Sequence, residues 1–282
     1  MPSLRTILTF FVTWTLAWWI PLRFLFARQV PGGDGTLVGF LVLALAPLIP
    51  LLRALIGRRY PSALMRVLVF RPFWYLLLMM PLVSLTGIVG VLVGWPFGLA
   101  GSIGRWAMVG TAALLLALVI VGYVGSRRLI VKSLALTFPD LPEGFDGFRI
   151  VQLSDLHVGP QTSRQFLARV AREVEQLGGD LIAITGDQVD DFHEDVAVFD
   201  KAFGHLQAPF GVFAIAGNHD VYAGWEPVRH GMEAVGMRVL VNEAIPLTRN
   251  GSTIWLGGTG DPAARSGPGS SGAPAPDIPR TL

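Results

Sequence analysis

Four long stretches without a charged residue dominate the first 126 positions: 6–22, 36–52, 72–104 and 106–126. A bilayer core of about 30 Å asks for about 20 apolar residues in helical form, so each stretch has the composition of a membrane span. The first two are short. Arg5, Arg23 and Arg53 can lengthen them by snorkelling, and Trp14, Trp18 and Trp19 favour the membrane interface. The third would reach about 50 Å as one helix at about 1.5 Å per residue. Only its first two-thirds is therefore read as a span, and GWPFGLAGSIG as a turn or re-entrant segment before the fourth. The expected spans are about 6–26, 36–55, 73–94 and 106–126. A cleaved signal peptide is disfavoured, because no small-x-small site follows promptly and three more hydrophobic segments come after it.

The formal charge of +2 conceals two opposed halves. Residues 1–126 carry nine Arg and one acid, Asp34, for +8, whereas residues 127–282 carry thirteen Lys+Arg and nineteen acids, for −6. An acidic soluble half repels phosphate backbones, so no nucleic-acid partner is expected. The absence of Cys excludes disulfides, thiolate nucleophiles and Cys-ligated metals. Loop charges set the expected orientation: Arg5, Arg53, Arg58, Arg59, Arg66, Arg71, Arg127, Arg128 and Lys132 on one side, against Arg23, Arg28 and Arg105 on the other. The positive-inside rule then places both ends, and the soluble domain, in the cytoplasm of an integral membrane protein. No acid or His inside a span marks an ion pathway, which argues against a transporter.

From Arg128 onward, short apolar runs alternate with amphipathic stretches, the α/β pattern. FRIVQL (148–153), DLIAIT (180–185) and VFAIAG (212–217) read as buried strands. A helix follows the first strand, capped by Ser163 and carrying Phe166, Leu167, Val170, Val174 and Leu177 at helical spacing. Further helices are expected over 195–206 and 226–235, with a hairpin turning through Asn250-Gly251. The Gly/Ser/Pro/Ala-rich tail 263–282 is expected to be disordered.

Each strand ends in a polar cluster: Ser154-Asp155-Leu156-His157, Gly186-Asp187-Gln188-Val189-Asp190, and Gly217-Asn218-His219-Asp220. In α/β sheets, ligands gather beyond the carboxyl ends of the strands. In an extended Asp155-x-His157 both side chains fall on the same side and reach one cation. The carboxylate of Asp187 can bridge two cations, and Asn218 offers an amide oxygen. Each cluster alone also fits an ordinary turn or helix cap, but three in this order at strand ends are not explained by turns. Oxygen and nitrogen donors without sulfur suit Mn, Fe or Zn without choosing among them.

SDLHVG, GDQVD and GNHD match the first three motifs of the calcineurin-like metallophosphoesterases, and over about 136–262 the chain resembles the membrane-associated bacterial branch of that family. The apolar stretches make residues 1–126 an N-terminal α-helical transmembrane region, and the resemblance implies that residues 127–262 form an α/β domain of the α/β/β/α sandwich type. It also implies two divalent metal ions. Asp155 and His157 would bind the first, Asp187 would bridge both and Asn218 would bind the second. His219 would lie near the phosphoryl oxygens with Asp220 orienting its ring, Asp190 would assist from behind, and Asp261 in GTGDP would lie near the site. The implied activity is hydrolysis of a phosphomonoester, phosphodiester or pyrophosphate by a metal-activated water.

The family pattern continues with a strand ending in His and a Gly-His-x-His motif, whereas this chain has no His after His230. His193, His205 and His230 lack the context to substitute. The domain is therefore expected to be incomplete at its C-terminus, with an open sheet edge and impaired activity. Two functions remain open from the sequence: a membrane-anchored phosphohydrolase acting on a phosphate ester, which proximity to the bilayer allows to be lipid-linked, or a non-catalytic membrane protein with a vestigial phosphoesterase domain.

Overall fold

The computed structural model describes residues 4–57, 61–190, 192–265 and 272–281. The chain divides into two compact units, Met1–Arg128 and Leu129–Leu282.

The first unit is helical. It comprises α1 (Leu4–Phe26), α2 (Gly33–Leu45), α3 (Leu48–Gly57), the single turn α4 (Ala63–Met65), α5 (Arg71–Gly94) and α6 (Ala100–Gly125). A π-helical turn, Arg66–Phe70, joins α4 to α5, so the third apolar stretch is continuous over Arg66–Phe97. Four segments are long and apolar enough to cross a membrane: Thr9–Phe26, Gly33–Arg53, Arg66–Phe97 and Ala100–Gly125. The second is broken into α2 and α3 at Ala46-Pro47, where proline has no amide to continue the helix. The expected turn or re-entrant segment at 94–104 is a tight turn: Trp95–Phe97 is a 3-10 turn, Gly98 takes φ 69°, and α6 begins at Ala100. Arg66, counted in a loop from the sequence, is buried inside the continuous helix; Arg58 and Arg59 lie outside the described residues.

Two hydrogen bonds join α1 to α5 beside their prolines. Pro81 leaves the Leu77 carbonyl without its helical donor, and Trp14 Nε1 donates to it at 2.7 Å. Ser84 Oγ donates at 2.9 Å to the Trp18 carbonyl, in the turn preceding Pro21. Against α6, α5 presents buried Gly87, Gly90 and Gly94. A Cβ at Gly90 would lie 2.9 Å from Gly104 Cα, so these backbones approach as closely as small residues allow.

The second unit begins with an exposed extended stretch and enters a parallel sheet of β1 (Ile150–Leu153), β2 (Leu181–Thr185), β3 (Val212–Ile215) and β4 (Arg238–Val239), in that spatial order. Between them lie α7 (Arg164–Leu177), α8 (Val196–Phe203) and α9 (Asn218–Ala234). Right-handed crossovers between strands added in sequence deliver all three helices to one face. Strand alternation then divides the core. Val151, Leu153, Ile182, Ile184, Val212 and Ala214 pack with the helices, while Leu181 and Phe213 pack with the hairpin β5 (Glu243–Arg249) and β6 (Ser252–Gly258). The described residues therefore form three layers, helices over parallel sheet over hairpin.

Ser163 caps α7 through its hydroxyl, which accepts from Phe166 N at 3.2 Å. Asn250 and Gly251 both take positive φ, 52° and 79°, as a two-residue hairpin turn requires. The strand β4 went unread because two residues carry no period. The helix expected over 226–235 is longer, since the GNHD cluster forms its first turn and the helix resumes past a kink at Gly224. Of the stretch 263–282, expected to be disordered, residues 266–271 and 282 lie outside the described residues, and the segment 272–281 makes hydrogen bonds to Asn242. Asn242 Nδ2 donates to the Ala275 carbonyl at 2.7 Å, its Oδ1 accepts from Asp277 N at 2.9 Å, and Thr281 is buried at the end of α10 (Ile278–Thr281). Within the described sheet β1 and β4 are the edge strands.

Candidate metal centre

The three polar clusters meet at the carboxyl end of the sheet because the parallel pairing does not stop with the strands. Asp155 N donates to the Gly186 carbonyl at 3.1 Å, His157 N to the Asp187 carbonyl at 2.9 Å, and Val158 N to the Gln188 carbonyl at 2.8 Å. Val158 and Val189 form a further parallel bridge, and both are fully buried. The two loops are thereby zipped together.

Asp155, His157 and Asp187 all adopt positive φ, at 54°, 43° and 54°. Non-glycine residues rarely occupy this region, and such outliers concentrate at functional sites. The finding also corrects the expected geometry, because Asp155-x-His157 is not extended. Asp155 lines a cleft of about 260 Å³ together with Asp187, Asn218 and Asp261. His157 instead groups with Asp187 and His219, whose ligating atoms all lie within 4.8 Å of one another. Asp187 belongs to both sets, the position a bridging carboxylate needs. Its Oδ1 accepts from His219 N at 2.9 Å, and its Oδ2 lies 3.7 Å from His157 Nε2, too far for a hydrogen bond.

The third loop approaches closely only because residue 217 is glycine. A Cβ there would fall on the Asp187 carboxylate and amide. Asp220, expected to orient the His219 ring, does something else. As the third residue of the helix after its cap, its carboxylate turns back along the chain. It accepts from Gly217 N at 2.9 Å, Gln188 N at 2.9 Å and Val189 N at 3.1 Å, tying the second loop to the third. Complete burial pushes this carboxyl up to about 7 despite those three donors.

Asp190 faces the His219 ring. Its carbonyl lies 2.7 Å from His219 Nδ1, which donates to it and leaves Nε2 as the ring's unbonded nitrogen. The Asp190 carboxylate also lies 3.6 Å from His157 Nδ1, and the two rings meet edge to face at 4.5 Å. His193, His205 and His230 lie elsewhere, each beside a glutamate, at Glu194, Glu175 and Glu226.

The donor set fits a divalent cation. Asp187 is nine-tenths buried and, among the described residues, keeps one oxygen without a hydrogen bond and shares the cleft with no Lys or Arg. Carboxylates, imidazoles and an amide oxygen are the donors such ions take in the absence of thiolate.

Residues 148–261 match the family model Calcineurin-like phosphoesterase. An uncharacterised metallophosphoesterase of Helicobacter pylori is 33% identical over 99 residues, 35% of this chain and 27% of the relative. A transmembrane protein with metallophosphoesterase domain from Danio rerio is 33% identical over 132 residues, 44% of this chain and 30% of the relative. The UDP-2,3-diacylglucosamine pyrophosphatase LpxG of Chlamydia muridarum is 36% identical over 124 residues, 41% of this chain and 38% of the relative. The chain thus spans well under half the length of these relatives. No solved structure matches. With its three motifs gathered at the carboxyl end of a parallel sheet, the segment 148–261 is a calcineurin-like phosphoesterase domain.

Proposed function

We propose that the chain is a membrane-anchored, metal-dependent phosphohydrolase. The observation that carries this reading is the convergence of three sheet-end loops on Asp187, which shares one side with His157 and His219 and the other with Asp155 and Asn218. Asp155, His157, Asp187 and Asn218 would hold two divalent cations of the Mn, Fe or Zn class. When bound, such ions supply Lewis-acid activation of water and neutralise phosphoryl charge. The protein's own groups do the rest. Asp187 links the two halves of the site, and Asp220 fixes the loops that carry it. His219, with Nδ1 committed to the Asp190 carbonyl, presents Nε2 to exchange a proton with a phosphoryl or leaving-group oxygen.

The substrate class is a phosphate or pyrophosphate ester. Similarity to LpxG and the four apolar helices support a lipid-borne one. The excess of Arg and Lys on one set of loops supports a cytoplasmic α/β unit. A reporter active only outside the cytoplasm, fused after Leu282, should be silent, and a strong signal would reverse the orientation.

The activity test uses the full chain in detergent with bis-p-nitrophenyl phosphate and p-nitrophenyl phosphate. Hydrolysis should require added MnCl2 and fall to background in Asp187→Asn. Absence of hydrolysis with Mn, Fe and Zn alike would leave the vestigial, non-catalytic reading in its place.

A further inference from the structure

An arginine in or beside a membrane span needs a counter-charge, and the helical unit treats two of its arginines differently. Arg23, near the end of α1, donates from Nε and Nη2 to the two oxygens of Asp34, both at 2.8 Å. Asp34 is the one acid among residues 1–126. Arg71 lies inside the continuous apolar stretch Arg66–Phe97, and among the described residues no carboxylate comes within ion-pair distance of it. Its contacts are aromatic instead. The guanidinium carbon of Arg71 is 5.6 Å from the centroid of the Tyr75 ring, one turn further along α5, and 5.1 Å from that of Tyr123 on α6. The guanidinium of Arg127, in the turn that ends α6, sits over the same Tyr123 ring at 4.1 Å.

Arginines gather at the ends of spans, and a helix C-terminus such as that before Arg127 favours a cation. Neither effect brings two guanidinium groups from different helices onto one ring. Each is attracted to the ring, but they repel one another, the more so where water is sparse. An anion between them turns that repulsion into attraction. The polar atoms are set to receive one. Arg71 Nη2 donates to Tyr75 Oη at 3.4 Å, and Arg127 Nη2 donates to Tyr123 Oη. Each phenol oxygen thus accepts from a guanidinium and keeps its own O–H to donate, and each guanidinium keeps further N–H groups. Phosphate oxygens are pure acceptors and pair well with guanidinium groups. Tyr75 and Tyr123 are 37% and 40% exposed, so the cluster is open to a ligand.

We propose that Arg71, Tyr75, Tyr123 and Arg127 bind the phosphate of one anionic phospholipid at the membrane surface. A lipid fits better than a soluble phosphate, because exposed Leu78 on α5 and exposed Ile120 and Val124 on α6 continue from the cluster and suit acyl chains. The site lies wholly within the helical unit. It rests on the reading of the helices as membrane spans and is independent of the metal centre.

The test is native mass spectrometry of the full chain released from detergent micelles, after addition of dioleoylphosphatidylglycerol or dioleoylphosphatidylcholine. Wild type should retain one phosphatidylglycerol at least fivefold more tightly than phosphatidylcholine, and millimolar inorganic phosphate should not displace it. Arg71→Gln and Arg127→Gln should each reduce the preference to less than twofold, whereas Arg105→Gln, toward the other end of α6, should leave it unchanged. Arg127→Gln changes an exposed turn and should keep the wild-type melting temperature without lipid, which guards against a folding defect at Arg71. Equal retention of the two lipids by wild type, or a preference that survives both substitutions, overturns the site. Displacement by inorganic phosphate overturns the lipid assignment. A chain that stays soluble without detergent overturns the span reading, and the site with it.

Discussion

The two units of this chain solve opposite problems. In the α/β unit, burial drives assembly: strand alternation sends Ile182 and Ile184 to the helices and Leu181 to the hairpin, and polar groups are expelled to the sheet's end. In the helical unit nearly every side chain is apolar, so apolarity selects no neighbour. There the specific contacts are polar or small: Trp14 on the carbonyl orphaned by Pro81, Ser84 on the Trp18 carbonyl, and Gly90 against Gly104. In the first unit specificity rests on a few side-chain hydrogen bonds and on glycines where helices touch; in the second it rests on buried carboxyl groups beyond the strand ends, Asp220 and Asp187 above all.

The largest expected effect sharpens that contrast at Asp220. Asp220→Ala leaves three buried N–H groups without an acceptor, at about 1–3 kcal/mol each, and should lower the stability of the α/β unit by several kcal/mol. Thermal melts followed in that unit should show it, while the helical unit's signal stays put. Gly217→Ala should follow closely. It pushes the third loop off Asp187, and Mn-dependent hydrolysis should fall with it even where the fold survives.

The counterpart in the helical unit is Gly90→Val, which forces α5 and α6 apart and should cost about 1–3 kcal/mol by overpacking. Trp14→Phe should cost less, about 1 kcal/mol for one hydrogen bond, read by unfolding in mixed micelles. A larger loss for Trp14→Phe than for Gly90→Val would make the hydrogen bond, and not the close glycine contact, the stronger of the two.

The smallest effect is pH-dependent and sits on α8. Burial lifts the Asp200 carboxyl from 3.8 to about 6, and one of its oxygens is buried without a partner. A folded-state value above the unfolded one means the stability is fully present below about 4 and is lost as pH rises toward and through 6. Asp200→Asn should therefore gain melting temperature over wild type at pH 8 and gain less at pH 4.5. An equal gain at both would remove the desolvation account.

Much of this was legible in the sequence, for physical reasons that vary with the element. The buried strands β1 to β3 announce themselves as uninterrupted apolar runs, and the residues at their ends are where a parallel sheet must place its loops. Asp187 could be read as central to the three clusters because its own follows the middle one of the three strands in sequence, and it does belong to both groupings. The role of Asp220 could not be read, since its partners are three backbone amides and amides leave no signature in a sequence. The left-handed backbone at Asp155 and His157 was hidden for a similar reason: the ladder that enforces it runs between main chains. The composition of the tail, Gly, Ser, Pro and Ala, carries no sign of the contacts that Asn242 makes with Ala275 and Asp277, because those contacts are to the main chain. In the helical unit the spans are visible in the sequence but the break at Ala46-Pro47 is not, because apolar composition records length and not continuity.

The central claim, that three sheet-end loops form one cation-dependent site, is tested most directly by hydrogen exchange of the full chain with and without MnCl2. Mass spectrometry should show added protection in peptides covering 154–158, 186–190 and 217–220 together, at one metal concentration, and none in Asp187→Asn. Unchanged exchange in wild type, or protection confined to one of the three loops, would contradict it.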